Sequence, residues 1–268
     1  MRVYKLAPLC GALLLAAASV GCNRLRARDQ LNKGVSAFRN AQFQAAIMHF
    51  KNAVVLDPTL LNARLYLATS YGQLYVPGGE SPDNLKVAQQ AIDAFQDVLK
   101  MDPKNTSALG NIAQIYYYQK KFDKAKEYQL QVVKLDPNNP DPYYWIGVLD
   151  WYICMPRTMQ LRKDLRLDVP KNNDPNQLPP LPEKARADLE KQNGALVDEA
   201  IKALQKALEL KPNDFSTMAY LNLMYRQKAD IESDDSARQA DLKTAEDWTN
   251  KALESRKAAA ERPAGPAQ

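Results

Sequence analysis

The residues of this 268-residue chain best suited to chemistry are one histidine, His49, and three cysteines, Cys10, Cys22 and Cys154. A metal site needs several His, Cys or carboxylate ligands close together, and the sequence holds no such cluster. One histidine also gives a Ser-His-Asp arrangement little support. His49 stands beside Phe50, which predicts a surface or half-buried helix residue. The sequence therefore predicts no catalytic, metal-binding or cofactor-binding site, and a protein that is not an enzyme.

We expect two of the three cysteines to lie outside the folded core. Cys10 lies in a leader that we expect to be removed, and Cys22 stands at its end. Cys154 then remains alone, so no internal disulfide can form. It follows Trp151 and Tyr152 at the end of a predicted helix, and we expect a buried, unreactive thiol there.

The first 22 residues have the pattern of an export signal. Arg2 and Lys5 precede an apolar run over residues 6–20, which is short for a membrane span and typical of a secretory signal. The run closes with Ser19-Val20-Gly21-Cys22, which resembles the bacterial lipoprotein box, although leucine is commoner than serine at its first position. The alternative is an ordinary cleaved signal with an incidental cysteine.

The lipoprotein resemblance implies an anchor and an address. It implies a diacylglycerol thioether (and a palmitate-type third chain) on Cys22, and two or more chains hold a protein on a membrane stably. Asn23 follows the cysteine, where aspartate would imply the inner membrane of enterobacteria. The expected location is therefore the bacterial cell envelope, and more specifically the outer membrane, facing the periplasm.

The charge of the chain argues against a nucleic-acid partner. The formal net charge is +5, and removal of Arg2 and Lys5 with the leader takes away two positive charges and leaves +3. This value is slight for a nucleic-acid-binding protein, and export also argues against that role. Arg24, Arg26 and Arg28 follow the anchor, either resting on anionic headgroups or as solvated helix-start residues.

The elements that position any site are set by an internal repeat. A sequence segment with alanines at fixed offsets recurs five times. Four copies end with a proline, at Pro58, Pro103, Pro137 and Pro212. The distance from Pro103 to Pro137 is 34 residues, a period typical of stacked helical hairpins. Such arrays present curved binding surfaces.

The copy over residues 106–139 illustrates the physics of the repeat. Ile112, Ala113 and Tyr116 share one face of a first helix, since they are three or four residues apart. Ala125 lies on the buried side of a second helix, and Pro137 ends the unit because proline has no N–H to donate. One hairpin cannot bury this apolar stripe alone, so neighbours must stack.

These copies resemble the tetratricopeptide repeat (TPR) family. In the first copy the family positions are occupied by Gly34, Ala37, Ala46, Phe50, Ala53 and Pro58. Gln129 in the third copy and Asn222, Thr249 and Lys257 in the fifth depart from the pattern. The resemblance implies an all-α, right-handed solenoid of about five TPR hairpins over residues 27–257.

The expected organisation has four parts. Residues 1–21 are the lipoprotein signal peptide and residues 22–26 a lipidated N-terminus with a short tether. The solenoid comprises repeats at about 27–60, 61–105, 106–139, 140–214 and 215–257, and residues 258–268 are a disordered tail. The second and fifth repeats are longer than the 34-residue unit, and we expect their extra residues in loops between the two helices, at residues 76–82 and around residues 230–236. The fourth repeat holds a long Pro-rich insertion at about 154–194 with an irregular middle, followed by one long helix over 183–210 that has Pro182 at its start.

The TPR resemblance implies a ligand groove lined by the first helix of each pair. Its register gives these groove residues: Phe38, Arg39, Thr69, Gln73, Gln114, Tyr117, Tyr118, Tyr144, Val148, Trp151 and Arg226. Aromatic residues and arginine dominate binding hot spots, which favours a protein or peptide ligand. The alternative is that Tyr117 and Trp151 pack against the next hairpin or the insertion. Leu31 and Val35 replace the Lys and Asn of the carboxylate-clamp relatives, which argues against that specialised function.

The sequence leaves two functions open. The first is a non-catalytic protein-protein interaction scaffold, similar to the repeat lipoproteins that help assemble outer-membrane, pilus or secretion machinery. The second is a glycan- or peptidoglycan-binding accessory that recruits substrate to an envelope enzyme, with the aromatic groove stacking on sugars.

Overall fold

A computed structural model describes residues 7–170 and 178–261, with side chains from Cys22 onward. These residues form ten α-helices and no strand. The helices are α1 (Ala7–Arg39), α2 (Phe43–Leu56), α3 (Leu61–Leu74), α4 (Pro82–Met101), α5 (Thr106–Tyr118), α6 (Phe122–Leu135), α7 (Pro140–Asp164), α8 (Glu183–Leu210), α9 (Phe215–Ile231) and α10 (Asp235–Ala260). The chain divides into two compact units, Met1–Gln119 and Lys120–Gln268.

The helix boundaries follow from local capping chemistry. Side chains of Ser, Asn or Asp accept a hydrogen bond from the first turn of five helices, and these caps are Ser81, Asn105, Asn139, Asp214 and Asp234. The Asp-Pro pairs that close the repeats also form local turns. Asp57, for example, accepts from the Thr59 backbone N–H at 3.0 Å and from its hydroxyl at 2.6 Å.

Unit 1 packs α1 to α5 through the small residues that the repeat pattern selects. Ala37, Ala46 and Phe50 form one buried cluster. A Cβ atom added at Gly34 would lie 2.4 Å from the Phe50 ring, so only glycine allows α1 and α2 this approach. The small residues of this hairpin thus permit a close crossing of its two helices.

The extra residues of the second repeat form an ordered loop between α3 and α4. The Asn84 amide donates to the carbonyls of Val76 and Gly79, both at 2.8 Å, and its oxygen accepts from the Val76 N–H at 2.8 Å. Gly78 has φ of 74°, which favours glycine. The loop lies where the turn residues predict it, and one side chain on α4 fixes its shape.

Unit 2 packs α6 to α10 around a second core. Its buried residues are Cys154, Val197, Ala200, Ile201, Leu204, Leu221 and Met224. Gly147 allows α7 and α8 to approach, because a Cβ there would lie 2.4 Å from Leu204. Gln129, which departs from the apolar repeat pattern, is nevertheless buried on α6.

The insertion is more helical than the sequence predicts. α7 continues past Cys154 and through Pro156 to Asp164, so the irregular part begins only at Leu165. α8 runs from Glu183 to Leu210, which confirms the predicted long helix. Much of the excess length thus extends α7 and α8, because the lengthened ends find a partner in each other and in α9.

Two further expectations fall at element ends. The excess of the fifth repeat, expected as loop around residues 230–236, mostly lengthens α9 and α10. Residues 258–260, expected as part of a disordered tail, continue α10, and residues 262–268 lie outside the described residues. No helix among the described residues is long and apolar enough to cross a membrane.

Candidate functional site

Four predicted groove residues meet in unit 1 in a cleft between α3 and α5. Thr69 and Gln73 come from α3, and Gln114 and Tyr118 from α5. They line a cavity of about 350 Å³, named here the α3–α5 cleft, together with Gly72, Tyr75, Pro77, Asn111 and Ile115. No residue of this lining carries a formal charge. The cleft therefore offers amides, hydroxyls and aromatic edges.

The floor of the α3–α5 cleft is held by two tyrosines. Tyr75 is 6% exposed and its ring centroid lies 6.4 Å from that of Tyr118. Burial raises the pKa of the Tyr75 hydroxyl, so it stays protonated and able to donate at neutral pH. A Cβ at Gly72 would meet nothing within 4 Å, which keeps one wall open.

The other predicted groove residues of unit 1 do not line this cleft. Phe38 is half-buried and packs edge-to-face on Phe43 and Tyr66, with ring centroids 5.4 and 5.9 Å away. Arg39 is exposed at the end of α1. Tyr117 is half-buried beside Tyr118, at 5.4 Å between centroids. The structure thus gives Phe38 a packing role.

In unit 2 the structure brings the predicted residues Trp151 and Arg226 into one pocket. Its volume is about 150 Å³, and α7, α9, α10 and Leu178 of the insertion form its walls. Met155, Met159, Leu223 and Leu242 make it largely apolar. We call it the α7–α9 pocket.

Tyr144 and Val148 take other places on α7. The Tyr144 ring packs edge-to-face on Tyr220 of α9 at 5.7 Å, and Trp151 packs on the same ring at 5.7 Å. Burial raises the pKa of the Tyr144 and Tyr220 hydroxyls. Val148 is only 1% exposed, so its assignment to the groove is wrong: it points into the core. Tyr144 and Trp151 are therefore half-buried packing residues that keep one exposed side.

The polar floor of the α7–α9 pocket was not foreseen from the sequence. Arg162, 1% exposed, donates from Nε and Nη2 to the two carboxylate oxygens of Asp230. Its Nη1 donates to the carbonyls of Leu167 and Pro179, at 3.1 and 3.0 Å. One side chain on α7 thus contacts α9 and the backbone of the insertion at Leu167 and Pro179.

A second ionic cluster joins α6, α7 and α8, and of its two carboxylates Asp150 is buried while Glu199 is partly exposed. Lys126 donates to Asp150 at 2.7 Å and to Glu199 at 2.8 Å. Burial raises the pKa of Asp150 to about 7, although Lys126 opposes this. Burial also disfavours the charge on Lys126, but the bonds to both carboxylates outweigh it and raise its pKa. No local sequence pattern marks these residues, because they lie on three separate helices.

The residues with intrinsic reactivity are placed in structural roles. His49 is half-buried and its Nδ1 lies 2.9 Å from the Gln30 amide oxygen. Cys154 is fully buried, and burial raises its thiol pKa to about 12, so almost no thiolate forms at neutral pH. The expected half-buried position of His49 and the expected burial of Cys154 are both confirmed. Among the described residues, no group of three His, Cys, Asp or Glu side chains could hold a metal ion.

Comparison with known proteins agrees with this architecture. Residues 87–147 and residues 196–214 each match a family model described as Tetratricopeptide repeat. The photosystem I assembly protein Ycf3 of Rippkaea orientalis is 30% identical over 122 residues. That match covers 40% of this chain, and the chain spans 65% of the length of that relative.

Two solved structures resemble this chain over most of its length. MamA superposes with a TM-score of 0.57 at 15% identity, covering 91% of this chain and 98% of MamA. YrrB, titled a TPR protein with an unusual peptide-binding site, superposes with a TM-score of 0.50 at 13% identity, covering 85% and 90%. These likenesses establish an all-α fold of stacked helical hairpins. Residues 87–147 and 196–214 thus carry tetratricopeptide repeats, and the fold is that of TPR hairpins.

Proposed function

We propose that this chain is a non-catalytic scaffold that binds peptide segments of other proteins while lipid on Cys22 holds it on a bacterial envelope membrane. One observation carries the scaffold role. In each unit, predicted groove residues from two first helices converge on a single depression: the α3–α5 cleft and the α7–α9 pocket.

The chemistry of the two depressions suits an extended peptide. Amides such as Gln73 and Gln114 can exchange hydrogen bonds with a peptide backbone, which has both donors and acceptors. Trp151 and Arg226 are of the types that dominate binding hot spots. The peptide-binding site named in the YrrB title and the assembly role in the name of Ycf3 support the same reading by analogy.

The anchor part of the proposal rests on the lipoprotein-type box that ends at Cys22. Cys22 is exposed on α1, so an enzyme can reach it. With Asn23 next in the chain, we place the protein on the outer membrane, facing the periplasm, where it would serve the assembly of outer-membrane, pilus or secretion machinery.

Metabolic labelling with a palmitate analogue tests the anchor. Cys22→Ser should abolish the label and release the protein from membranes, whereas the matched Cys154→Ser control should keep both. Equal labelling of Cys22→Ser and the parent would refute the anchor.

The uncharged α3–α5 cleft favours one alternative function, a glycan- or peptidoglycan-binding accessory. Amides, hydroxyls and tyrosine rings without formal charge also match the hydroxyls and apolar faces of sugars.

Peptide display and a glycan array, both probed with the full chain, separate the two functions. A scaffold should select peptides. The double variant Gln73→Ala, Gln114→Ala should weaken the affinity of those peptides that bind in the α3–α5 cleft of unit 1. Gln89→Ala with Gln131→Ala, on exposed faces of α4 and α6, is the matched control. Glycan binding that depends on Gln73 and Gln114, without any selected peptide, would overturn the scaffold and establish the alternative.

A further inference from the structure

The floor of the α7–α9 pocket carries more positive than negative charge. Arg162 and Arg238 are 1% and 6% exposed, and the carboxylate between the helices is that of Asp230. Arg162 already engages both oxygens of Asp230. A guanidinium is always charged, so the second arginine needs its own compensation.

Among the described residues Arg238 forms no ion pair, although Asp230 and Asp235 lie near enough to favour its charge. Its Nη2 donates to the Leu178 carbonyl at 2.8 Å, while its Nε is buried without a hydrogen-bond partner in this part of the chain. The neighbouring Arg186 adds a further positive charge, and its closest carboxylate, Asp235 at 3.9 Å, is 86% exposed. A buried donor without an acceptor is costly in free energy. A ligand carboxylate that accepts a hydrogen bond from this donor removes that cost, and this favours binding.

The apolar walls set the size of the group that accompanies this carboxylate. The pocket volume of about 150 Å³ is close to that of an engineered protein cavity that binds benzene. Met155 and Met159 are flexible thioethers that adapt to different shapes, and Met159 is 47% exposed at the rim. The pocket therefore accepts one bulky apolar side chain.

Resting on the proposed function, we propose that the α7–α9 pocket binds a peptide residue with a bulky apolar side chain directly beside a carboxylate, and that Arg238 pairs with this carboxylate. The carboxylate is either the C-terminus of the peptide or an adjacent Asp or Glu. Arg238 lies on α10 and donates to the Leu178 carbonyl of the insertion. It therefore lies outside the first-helix positions that line the usual TPR groove.

Fluorescence anisotropy of labelled peptides on the full chain, purified in detergent, tests the proposal. The probe is Gly-Ser-Gly-Ser-Ala-Phe with a free C-terminus. Its comparisons are the same peptide amidated, the same peptide ending in alanine, and an amidated peptide with Asp before Phe. We expect the free acid to bind about tenfold or more tightly than the amide and the alanine peptide. Tight binding of the Asp-Phe amide would identify an internal acidic residue as the source of the carboxylate.

Two variants and one control locate the binding. Arg238→Gln removes the charge, and Leu242→Trp fills the pocket while every arginine stays; each should weaken the free acid by about tenfold. Lys243→Gln, an equal charge change on an exposed site of α10, should leave affinity unchanged. Equal affinity for the acid and both the amide and alanine peptides, or full affinity in Leu242→Trp, would overturn the proposal. Full affinity in a folded Arg238→Gln would do the same.

The proposed function fails by a different result. If the full chain selects displayed peptides without an apolar-acidic pair, and Arg238→Gln does not affect them, only the pocket specificity is wrong. If no displayed peptide is selected at all, the scaffold itself is wrong.

Discussion

Replacement of Arg162 by methionine should be one of the most destabilising single changes in unit 2. Methionine keeps most of the apolar stem of Arg162 but removes all of its donors. The Asp230 carboxylate, with its side chain 12% exposed, would then lose both hydrogen bonds from the guanidinium. The carbonyls of Leu167 and Pro179 would lose a donor as well.

The expected cost follows from these losses. Removal of one partner from a buried ion pair costs about 3–5 kcal/mol, because the other charge stays buried without compensation. Asp230→Leu alone should cost a similar amount. Arg162→Met with Asp230→Leu should cost at least about 2 kcal/mol less than the sum of the two, since neither member of this ion pair then stays buried without the other.

Tryptophan fluorescence during urea unfolding measures this effect in the correct unit. All three tryptophans, at positions 145, 151 and 248, belong to Lys120–Gln268, so the signal reports on unit 2. The control is Lys163→Met, because Lys163 is the next residue of α7 and is exposed. This change should alter the free energy of unfolding by at most about 0.5 kcal/mol.

Two results would refute this reasoning. A change below about 1 kcal/mol for Arg162→Met would mean that the ion pair and its carbonyl bonds contribute little. Strict additivity in the double variant would mean that Arg162 and Asp230 do not interact.

Three further predictions concern packing, protonation and reactivity. Gly34→Ala should destabilise unit 1 by about 1–3 kcal/mol through its clash with Phe50, whereas Gly72→Ala, with open space inside α3, should stabilise by up to about 1 kcal/mol; circular dichroism melts that rank the two the other way would contradict the packing. Burial raises the pKa of Asp150 from 3.8 to about 7, so its contribution to stability is fully present below about pH 4 and is lost as pH rises to about 7. Asp150→Asn should therefore gain in melting temperature relative to the parent between pH 5 and pH 8, and a constant difference across that range would refute the assignment. Cys154 should resist maleimide in the folded chain and react after unfolding, because its pKa is about 12; rapid labelling in the native state, read by mass spectrometry, would show that the site is open.

The sequence by itself determined the hairpins, because their information is local. Small residues at fixed offsets within each repeat, such as Gly34 on α1 and Ala46 on α2, specify where the two helices of a hairpin cross. Asp-Pro pairs and capping side chains mark the ends for the same reason. The register of the first helices, taken from the resemblance to TPR proteins, also placed Gln73 and Gln114 on one groove, and both line the α3–α5 cleft.

The tertiary structure alone decided which distant residues meet. Lys126 and Glu199 are 73 positions apart, and Arg162 and Asp230 are 68 apart, so no local period links them. The register alone misplaced Val148, because the packing of α7 against its neighbouring helices buries this residue. The sequence also did not predict that α7 continues beyond Cys154. A proline inside a helix predicts an end unless packing on both sides compensates for the lost hydrogen bond, and only the folded unit shows the partners that do so.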